Sequence, residues 1–237
     1  MSCQIAMVDM AFVSPPQDGG GSDYMCYIEL NNQLYETSWT GSQQFPDLKG
    51  VELRRVDLSD EVSNVWISSK RLGFGSSAVV RTLDGDGFPI VKIAHPNTDA
   101  RQQVRHEYHV MRSLSHFDGV ADVDSDPLED KDGIFGFRLE RLSKIDIGEL
   151  QMRSDEVRSL VKALHDIGYA HGDLSPSNVM VNKDGRLVLI DFSFSGLIGQ
   201  RLAAHIPRWV YEGAAYDTST DIKRLDRYFQ IGPKNVG

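Results

Sequence analysis

The sequence from residue 164 to residue 193 reads LHDIGYAHGDLSPSNVMVNKDGRLVLIDFS and holds two short polar clusters, each beside an apolar run. The first cluster, HGDLSPSN (171–178), precedes VMV (179–181), and the second, DFS (191–193), follows LVLI (187–190). Short apolar runs bounded by polar residues predict buried strands, and the Lys-Asp-Gly triplet between the runs predicts a hairpin turn. We therefore expect two paired strands with a polar cluster at each open end.

The predicted hairpin would bring three polar side chains together. Because the two ends of a short hairpin lie side by side, Asp173, Asn178 and Asp191 are expected to converge on one small volume. Two carboxylates and an amide oxygen are hard ligands, which suit magnesium rather than zinc. Each residue alone is an ordinary loop residue, so the prediction depends on their joint spacing.

This stretch resembles the catalytic loop and the metal-binding loop of the protein kinases, whose pattern is H-R-D-x-x-x-x-N followed by D-F-G. The spacing from Asp173 to Asn178 and on to Asp191 fits that pattern. The resemblance implies that Asp173 is the catalytic residue that accepts the substrate hydroxyl proton, and that Asn178 and Asp191 hold Mg²⁺. Two positions depart from the pattern: Gly172 replaces the usual Arg, and Ser193 replaces the usual Gly.

A glycine-containing loop lies earlier in the chain, where residues 72–80 read LGFGSSAVV. Glycines followed by small residues let backbone amides approach a phosphate closely. A strand is expected on either side, which separates this loop from the Walker type that opens a helix. The loop resembles the kinase glycine-rich loop, with Ala78 in place of the third glycine. The resemblance implies that the following residues bind ATP: Gly73, Phe74, Gly75, Ser76, Ser77, Ala78 and Val80.

Two further charged residues lie in apolar surroundings. Lys92 is inside the apolar strand FPIVKIA, and Glu107 is on the apolar face of a helix predicted over 97–114. The lysine either extends to water or is held by an anion. The glutamate either points to water, pairs with Arg101 or Arg105, or binds another cation. The kinase resemblance implies a Lys92–Glu107 pair whose lysine binds the non-transferred phosphates of ATP.

The middle of the chain is expected to form a turn region and then a hinge. Residues 121–132 carry six acidic side chains and are predicted to form a solvated turn, because they lack the spacing of a calcium-binding loop. A strand is predicted over 134–139. The resemblance implies that the next residues form the hinge, where the backbone at Glu140 and Leu142 would contact adenine.

Two helices are predicted in the second half of the chain. The first runs over 154–168, with Ser154 as its cap. The second begins at Ser219 or Thr220, and the resemblance implies that Asp221 anchors the catalytic loop. This last helix is predicted to turn three residues inward: Ile222, Leu225 and Phe229.

The first 68 residues show turn and strand signals but no recognisable chemistry. Residues 1–22 end in a Gly-Gly-Gly-Ser run and are expected to be a flexible leader. Runs rich in Tyr, Ile and Thr over 24–39, with Asn-Asn in the middle, predict a β-hairpin. Short strands are expected at 51–56 and 65–68. This segment is expected to pack on, or extend, the sheet that follows.

The composition narrows the class of protein. The chain has 237 residues and a net charge of −9, which argues against a bulk nucleic-acid or anionic-membrane binder. Two cysteines give no disulfide framework. No apolar run is long enough for a membrane span and no secretory signal is visible, so a cytoplasmic location is expected.

The predicted fold class is α+β, a two-lobed protein kinase-like fold with a β-rich N-lobe and a truncated helical C-lobe. The resemblance covers about two thirds of the chain. The expected layout is a flexible leader over 1–22, a β-rich extension over 23–66, the N-lobe over 67–142 and a shortened C-lobe over 143–237.

The resemblance implies an ATP- and Mg²⁺-dependent phosphotransferase, foremost a compact Ser/Thr-type protein kinase acting on a protein hydroxyl. A small-molecule kinase of the aminoglycoside or choline type is the alternative, and a non-catalytic kinase-fold binding module is the third reading. Gly172 removes the usual arginine reader of a phosphorylated loop, so constitutive activity or control by a protein partner that completes the short C-lobe is expected. Ser175 stands where Ser/Thr kinases place a lysine.

Overall fold

The structure is a computed structural model that describes residues 23–40, 52–85 and 87–229. Within these ranges the chain forms thirteen strands and five α-helices, arranged as two lobes with a cleft between them. The leader expected over 1–22 lies outside the described residues. Among the described helices, none has the length and apolar character needed to span a membrane.

The predicted N-terminal hairpin is confirmed. Strands β1 (Asp23–Leu30) and β2 (Gln33–Thr40) pair antiparallel, and β3 (Arg54–Arg55) adds to the far side of β2. Asn31 and Asn32 both have positive φ, 51° and 60°, as a two-residue hairpin turn of the primed type requires. Asparagine tolerates this conformation better than most residues, which explains the Asn-Asn pair.

The strand predicted over 65–68 is wrong, because helix α1 (Asp60–Ser68) occupies this segment. Ser59 caps the helix by accepting a hydrogen bond from a backbone amide in its first turn. Val62 and Trp66, four residues apart, form one buried face. Helical spacing and the serine cap therefore outweighed the β-propensity of Val, Trp and Ile, and α1 crosses the boundary expected at residue 66.

A five-stranded antiparallel sheet forms the centre of the first lobe. Its order is β4-β5-β6-β8-β7, so neighbouring strands are mostly consecutive in sequence. The strands are β4 (Lys70–Phe74), β5 (Ala78–Thr82), β6 (Ile90–Ala94), β7 (Leu128–Asp130) and β8 (Gly133–Leu139).

The N-terminal extension packs on the outer face of this sheet instead of adding a strand to it. Val91 and Ile93 of β6 point to that face and pack in one cluster with Tyr27 and Trp66 of the extension. Alternation along the strand sends Lys92 to the opposite face, toward the cleft. The extension therefore removes from water an apolar sheet face that the first lobe would otherwise expose.

A buried arginine joins the extension to the sheet. Arg81 of β5 is 1% exposed and donates hydrogen bonds to Ser69 Oγ (2.7 Å) and Glu29 Oε2 (2.9 Å). Its guanidinium lies 4.2 Å from the centre of a Trp66 ring. A buried charge that loses its partners is costly, so these contacts fix how the extension sits on the sheet.

Helix α2 (Thr98–Ser113) packs against the cleft side of the sheet, capped by Asn97. The prediction that the acidic stretch over 121–132 is a solvated turn is wrong in part, because strand β7 (Leu128–Asp130) lies within it and the Asp130 side chain is fully buried. The Asp130 carboxylate binds Arg101 through two hydrogen bonds of 2.7 and 2.8 Å and accepts a third from Ser59. Arg101 therefore pairs with Asp130 and not with Glu107 on its own helix.

The second lobe carries three helices and several short strands. The hairpin predicted between the two polar clusters is confirmed, because β11 and β12 pair antiparallel. Strand β9 adds to the β11 side of this hairpin, and β10 pairs with β13. In chain order these elements are β9 (Ser143–Lys144), α3 (Ile147–Met152), α4 (Ser154–Asp166), β10 (Tyr169–Ala170), β11 (Val179–Val181), β12 (Leu187–Leu189), β13 (Gly196–Leu197) and α5 (Ser219–Tyr228).

Two details of the predicted helices in this lobe are wrong. Arg153, not Ser154, is the N-cap of α4, because Arg153 directly follows α3 as its C-cap and Ser154 is already helical and buried. In α5, Leu225 and Phe229 face inward as expected, but Ile222 is exposed. Ile222 follows Asp221, which takes the inward position.

Candidate active site

The cleft between the lobes has a volume of about 590 Å³. The sheet and the glycine-containing loop form its roof, and the β11–β12 hairpin contributes to its floor. Among the residues that line it are twelve of the expected site residues: Gly73, Phe74, Gly75, Ser76, Ser77, Ala78, Val80, Lys92, Glu107, Glu140, Leu142 and Asp191.

Lys92 lies between two carboxylates in this cleft. Its Nζ is 2.7 and 2.9 Å from the two carboxylate oxygens of Glu107 and 3.1 Å from Asp191 Oδ1. Ser193 donates a hydrogen bond to Asp191 Oδ1 (2.7 Å) and faces Glu107 Oε2 at 3.4 Å. The ion pair expected between Lys92 and Glu107 is therefore present, and Asp191 completes it as a triad.

Burial and charge act in opposite directions in this triad. Burial alone would lower the pKa of Lys92, but Asp191 and Glu107 together raise it above its ordinary value, so the ammonium stays charged. Burial raises the pKa of Glu107, and the Lys92 ammonium opposes that shift. Despite burial, Lys92 and the Ser193 hydroxyl lower the pKa of Asp191. The site holds one fixed cation and an ionised Asp191 facing the cleft.

The glycine-containing loop between β4 and β5 is closed by a hydrogen bond from the Gly75 amide to the Ala78 carbonyl (2.8 Å). His95 holds the loop from behind, because its Nε2 lies 2.9 Å from Gly75 O and its ring stacks on Tyr27 and Phe74. A carbonyl only accepts, so Nε2 carries the ring proton. Burial lowers the pKa of His95 and keeps the ring neutral. Tyr27 belongs to the extension, which therefore reaches the loop.

The residues expected to form the hinge follow β8 at the back of the cleft. The Glu140 amide already donates to Asp122 O (2.9 Å), and the Glu140 carboxylate accepts from the Asp122 amide (3.0 Å). Any contact of Glu140 with a base would therefore use its carbonyl oxygen. Leu142 packs against the main apolar core and lines the cleft.

The loop that carries Asp173 is anchored by a buried carboxylate of α5. Asp221 is fully buried, and its two oxygens accept hydrogen bonds from the amides of His171 (2.7 Å) and Gly172 (2.8 Å). His165 Nε2 lies 2.9 Å from the same carboxylate. Although burial raises it, these contacts lower the pKa of Asp221 on balance. These contacts are the ones that the anchoring role implied for Asp221 requires.

Asp173 and Asn178, the two expected site residues of this loop, are not among the residues that line the cleft. Asn178 Nδ2 donates to Asp173 O (2.8 Å), and Arg224 of α5 donates from Nη1 to Asp173 Oδ1 (2.8 Å). Burial raises the pKa of Asp173, the Arg224 guanidinium opposes that shift, and the nearby Asp191 carboxylate adds to it. The structure therefore brings Asp173, Asn178 and Asp191 to one region, as the hairpin geometry predicted.

No side chain fits at residue 172 in this arrangement. Gly172 has a φ of +80°, and a Cβ there would lie 2.4 Å from the Tyr211 hydroxyl and 2.6 Å from Phe194 O. Tyr211 fills that space and donates to Phe194 O (2.9 Å). The segment after β12 is thus held by a tyrosine where the kinase pattern would place an arginine.

Several known proteins are similar to this chain in sequence or in fold. The family model of choline/ethanolamine kinase matches residues 107–224. The chain is 22% identical to the serine/threonine-protein kinase Warts of Drosophila melanogaster over 80% of this chain and 19% of Warts. A chain in the structure of the CAK complex from Chaetomium thermophilum bound to ATP-gamma-S matches with a TM-score of 0.52 and 22% identity, over 68% of this chain and 59% of that one. This chain has a protein kinase-like fold.

Among the curated kinases compared, the chain spans between 12% and 48% of the relative's own length. It is 36% identical to the RIO-type serine/threonine-protein kinase Rio1 of Haloferax volcanii, over 32% of this chain and 23% of that protein. These relatives and the solved structure establish the kinase-like architecture, and the predicted two-lobed α+β class is confirmed. The roles of the individual site residues stay predictions.

In this kinase-like fold the residues present fit a magnesium ion. Asn178 uses its amide nitrogen on Asp173 O, which leaves its oxygen free to act as a ligand. Asp191, whose φ is +66°, is bound by Lys92 and Ser193 through Oδ1, which leaves its Oδ2 to act as a ligand. Within the described ranges no group of three or more His, Cys, Asp or Glu is arranged to hold a metal. Magnesium is commonly held by one or two carboxylates together with phosphate oxygens, which matches this sparse set of oxygens.

Two residues of the kinase-like site, Arg224 and His95, were not predicted from the sequence. Arg224 lies 51 residues after Asp173, and no spacing rule connects them. His95 ends an apolar strand and gives no sign that it supports Gly75. One signal was available for Arg224: it follows Asp221 by three residues, so a helix that points one of them at the loop also points the other there.

Proposed function

We propose that this chain is an ATP- and Mg²⁺-dependent phosphotransferase, foremost a compact Ser/Thr-type protein kinase with Asp173 as the catalytic base. The observation that carries the proposal is the position of Lys92, held between Glu107 and Asp191 in a cleft that the glycine-containing loop covers. A lysine held by two carboxylates at such a site is suited to bind phosphate oxygens.

Each residue has one role in the proposed reaction. Asp173 accepts the proton of the acceptor hydroxyl while the hydroxyl oxygen forms a bond to the terminal phosphorus of ATP. The bond between that phosphorus and the bridging oxygen breaks, and its electron pair leaves with ADP. Lys92 binds the non-transferred phosphates, and amides of residues 73–78 cover them. Asn178 and Asp191 would hold Mg²⁺, which would neutralise charge on the phosphates.

The protein acceptor is favoured by the relatives, which include Ser/Thr-type protein kinases and a RIO-type kinase. The complex that contains the solved neighbour is bound to the ATP analogue ATP-gamma-S, which supports ATP as the nucleotide. Control by a protein partner, or constitutive activity, stays a prediction from Gly172.

A small-molecule acceptor is the second candidate. The choline/ethanolamine kinase model covers the region from Glu107 to Arg224, which includes the catalytic loop and both of its anchors. This favours a hydroxyl of a small amine as the acceptor. The non-catalytic alternative is disfavoured because lysine, glutamate, both aspartates and the asparagine are all in place.

A transfer assay separates these candidates. The protein is incubated with γ-labelled ATP and Mg²⁺, first with casein or myelin basic protein, then with choline, ethanolamine or an aminoglycoside. Asp173→Asn should lower transfer by about 10²- to 10⁴-fold, whereas Asp166→Asn, at an exposed position of α4, should leave it unchanged.

Label on protein that depends on Asp173 supports the protein kinase, and label only on a metabolite supports the second candidate. ATP binding without transfer to any acceptor would contradict both candidates.

A further inference from the structure

Helix α5 reaches the catalytic loop with two side chains, three residues apart on one face. Asp221 accepts hydrogen bonds from the amides of His171 and Gly172, and Arg224 donates to the Asp173 carboxylate. Three consecutive residues of the loop are therefore bound by one helix. The first two contacts hold backbone atoms, whereas the third holds the side chain that the proposed reaction uses.

We propose that Arg224 is a positioning residue that fixes the orientation of the Asp173 carboxylate for phosphoryl transfer, so that α5 completes the active site. The inference rests on the proposed function. Arg224 binds Oδ1, which leaves Oδ2 as the oxygen that would take the proton of the acceptor hydroxyl.

The contact is one that can hold a side chain in place. Arg224 and Asp173 keep only 22% and 30% of their side-chain surface, so the pair is less screened than a surface ion pair. The same Nη1 lies 3.4 Å from Leu174 O, which ties the guanidinium to the loop backbone as well. With Asn178 bound to Asp173 O, both the backbone and the carboxylate of Asp173 are fixed.

Within the described ranges, Arg224 is the one basic side chain that forms an ion pair with Asp173. The neighbouring loop residues Ser175 and Ser177 carry no charge and bond to each other (2.8 Å between hydroxyls). The cation next to the proposed base therefore comes from α5, 51 residues later in the chain. A misplacement of a reacting group by about 1 Å costs about 10²-fold in rate, which sets the size of the effect expected here.

The test compares three variants of the full chain in the transfer assay. Arg224→Gln should lower kcat by about 10²-fold and change the KM for ATP by less than about 2-fold, because Arg224 touches the base and not the nucleotide site. Arg224→Lys should recover about a tenth of the wild-type kcat or more, since an ammonium keeps the charge but not the planar fork. Arg227→Gln is the matched control, because Arg227 lies on the same helix and is exposed.

A double-variant comparison separates positioning from a general structural role. If Arg224 acts through Asp173, then adding Arg224→Gln to Asp173→Asn should lower the residual activity by less than about 2-fold. Hydrogen exchange of the peptide that contains 171–178 gives a readout that needs no activity. That exchange should be faster in Arg224→Gln and unchanged in Arg227→Gln, while exchange in the core of α4 stays constant in both.

The inference is overturned if Arg224→Gln keeps more than half of the wild-type kcat. It is also overturned if Arg224→Gln lowers the activity of Asp173→Asn as strongly as it lowers that of the wild type, or if hydrogen exchange of the 171–178 peptide is unchanged. A wild-type chain that transfers no phosphate, yet whose loop loosens only in Arg224→Gln, would contradict the proposed function and leave the positioning role supported. An active wild-type chain whose Arg224→Gln variant is unaffected would support the proposed function and contradict the positioning role.

Discussion

The two loops that face the cleft are held in place by different kinds of force. The glycine-containing loop is held mainly by neutral contacts, which include hydrogen bonds from His95 Nε2 to Gly75 O and from the His95 amide to Ser77 O (2.9 Å) and a stack of the His95 ring on Tyr27 and Phe74. The catalytic loop is held by charged groups of α5, with Asp221 binding its backbone and Arg224 binding its carboxylate.

This difference has an energetic meaning. A neutral hydrogen bond contributes about 1 kcal/mol net, whereas bonds to a charged group contribute about 1.5–3 kcal/mol each. The glycine-containing loop can therefore open at low cost, which suits its proposed role as a lid over a nucleotide. The loop that carries Asp173 keeps its geometry, which suits the proposed role of Asp173 as a preorganised base.

The comparison is tested most strongly at Asp221. In Asp221→Asn, an amide NH₂ would face one of the two loop amides, and a buried donor would lose its acceptor. We expect the free energy of unfolding to fall by about 3 kcal/mol, measured by urea denaturation, together with a loss of transfer. Asp226→Asn, at an exposed position of the same helix, should change stability by less than about 0.5 kcal/mol. Equal effects of the two variants would show that the buried charge does not anchor the loop.

The next largest effect is expected at Gly172, inside the charged loop. Gly172→Ala meets both an unfavourable positive φ and contacts with Tyr211 and Phe194, so we expect a loss of about 2–3 kcal/mol in thermal or urea unfolding.

Gly185→Ala is the matched control, because Gly185 has nearly the same φ, +78°, but nothing within 4 Å of its Cβ position. It should cost only about 1 kcal/mol. If both glycine variants lose the same stability, the packing of Tyr211 against the loop contributes nothing.

A smaller effect is expected at the neutral anchor. His95→Phe keeps an aromatic ring in the stack but loses the hydrogen bond to Gly75, so the KM for ATP should rise about 5-fold with little change in kcat. His116→Phe, at an exposed position, should leave both constants unchanged. A drop in kcat without a change in KM would contradict the assignment of His95 to the nucleotide loop.

The smallest effect is expected at Tyr27, the residue through which the N-terminal extension reaches the loop. Tyr27→Leu removes a stack of about 0.5–1 kcal/mol, so the KM for ATP should rise about 2- to 5-fold. In a variant that already carries His95→Phe, the further rise shows how much the stack itself contributes. An unchanged KM in both backgrounds would mean that the extension has no influence on nucleotide binding.

The parts of the fold predicted from sequence are those with local signals. The Asn-Asn hairpin, the strands around the glycine-containing loop and the β11–β12 hairpin each have a turn residue or a regular period in the sequence. The segment of helix α1 is predicted as a strand because Val, Trp and Ile favour strands, whereas the Ser59 cap and the spacing of Val62 and Trp66 indicate the helix that the structure has.

The parts that the sequence did not predict depend on contacts between distant residues. The pairs Arg224–Asp173, Arg101–Asp130 and Arg81–Glu29 are separated by 51, 29 and 52 residues, and no spacing rule reaches so far. The Lys92–Glu107 pair, at 15 residues, was expected only because it belongs to a known pattern. Side-chain burial in the folded chain decides these partners, and a single sequence does not show it.

The central claim, that the cleft binds a magnesium-bound nucleoside triphosphate, is tested most directly by calorimetric titration with a non-hydrolysable ATP analogue, with and without Mg²⁺. We predict tighter binding in the presence of Mg²⁺ for the wild type, loss of that Mg²⁺ dependence in Asp191→Asn, and weaker binding in Lys92→Met. No binding by the wild type, or equal binding by all three proteins, would contradict the account.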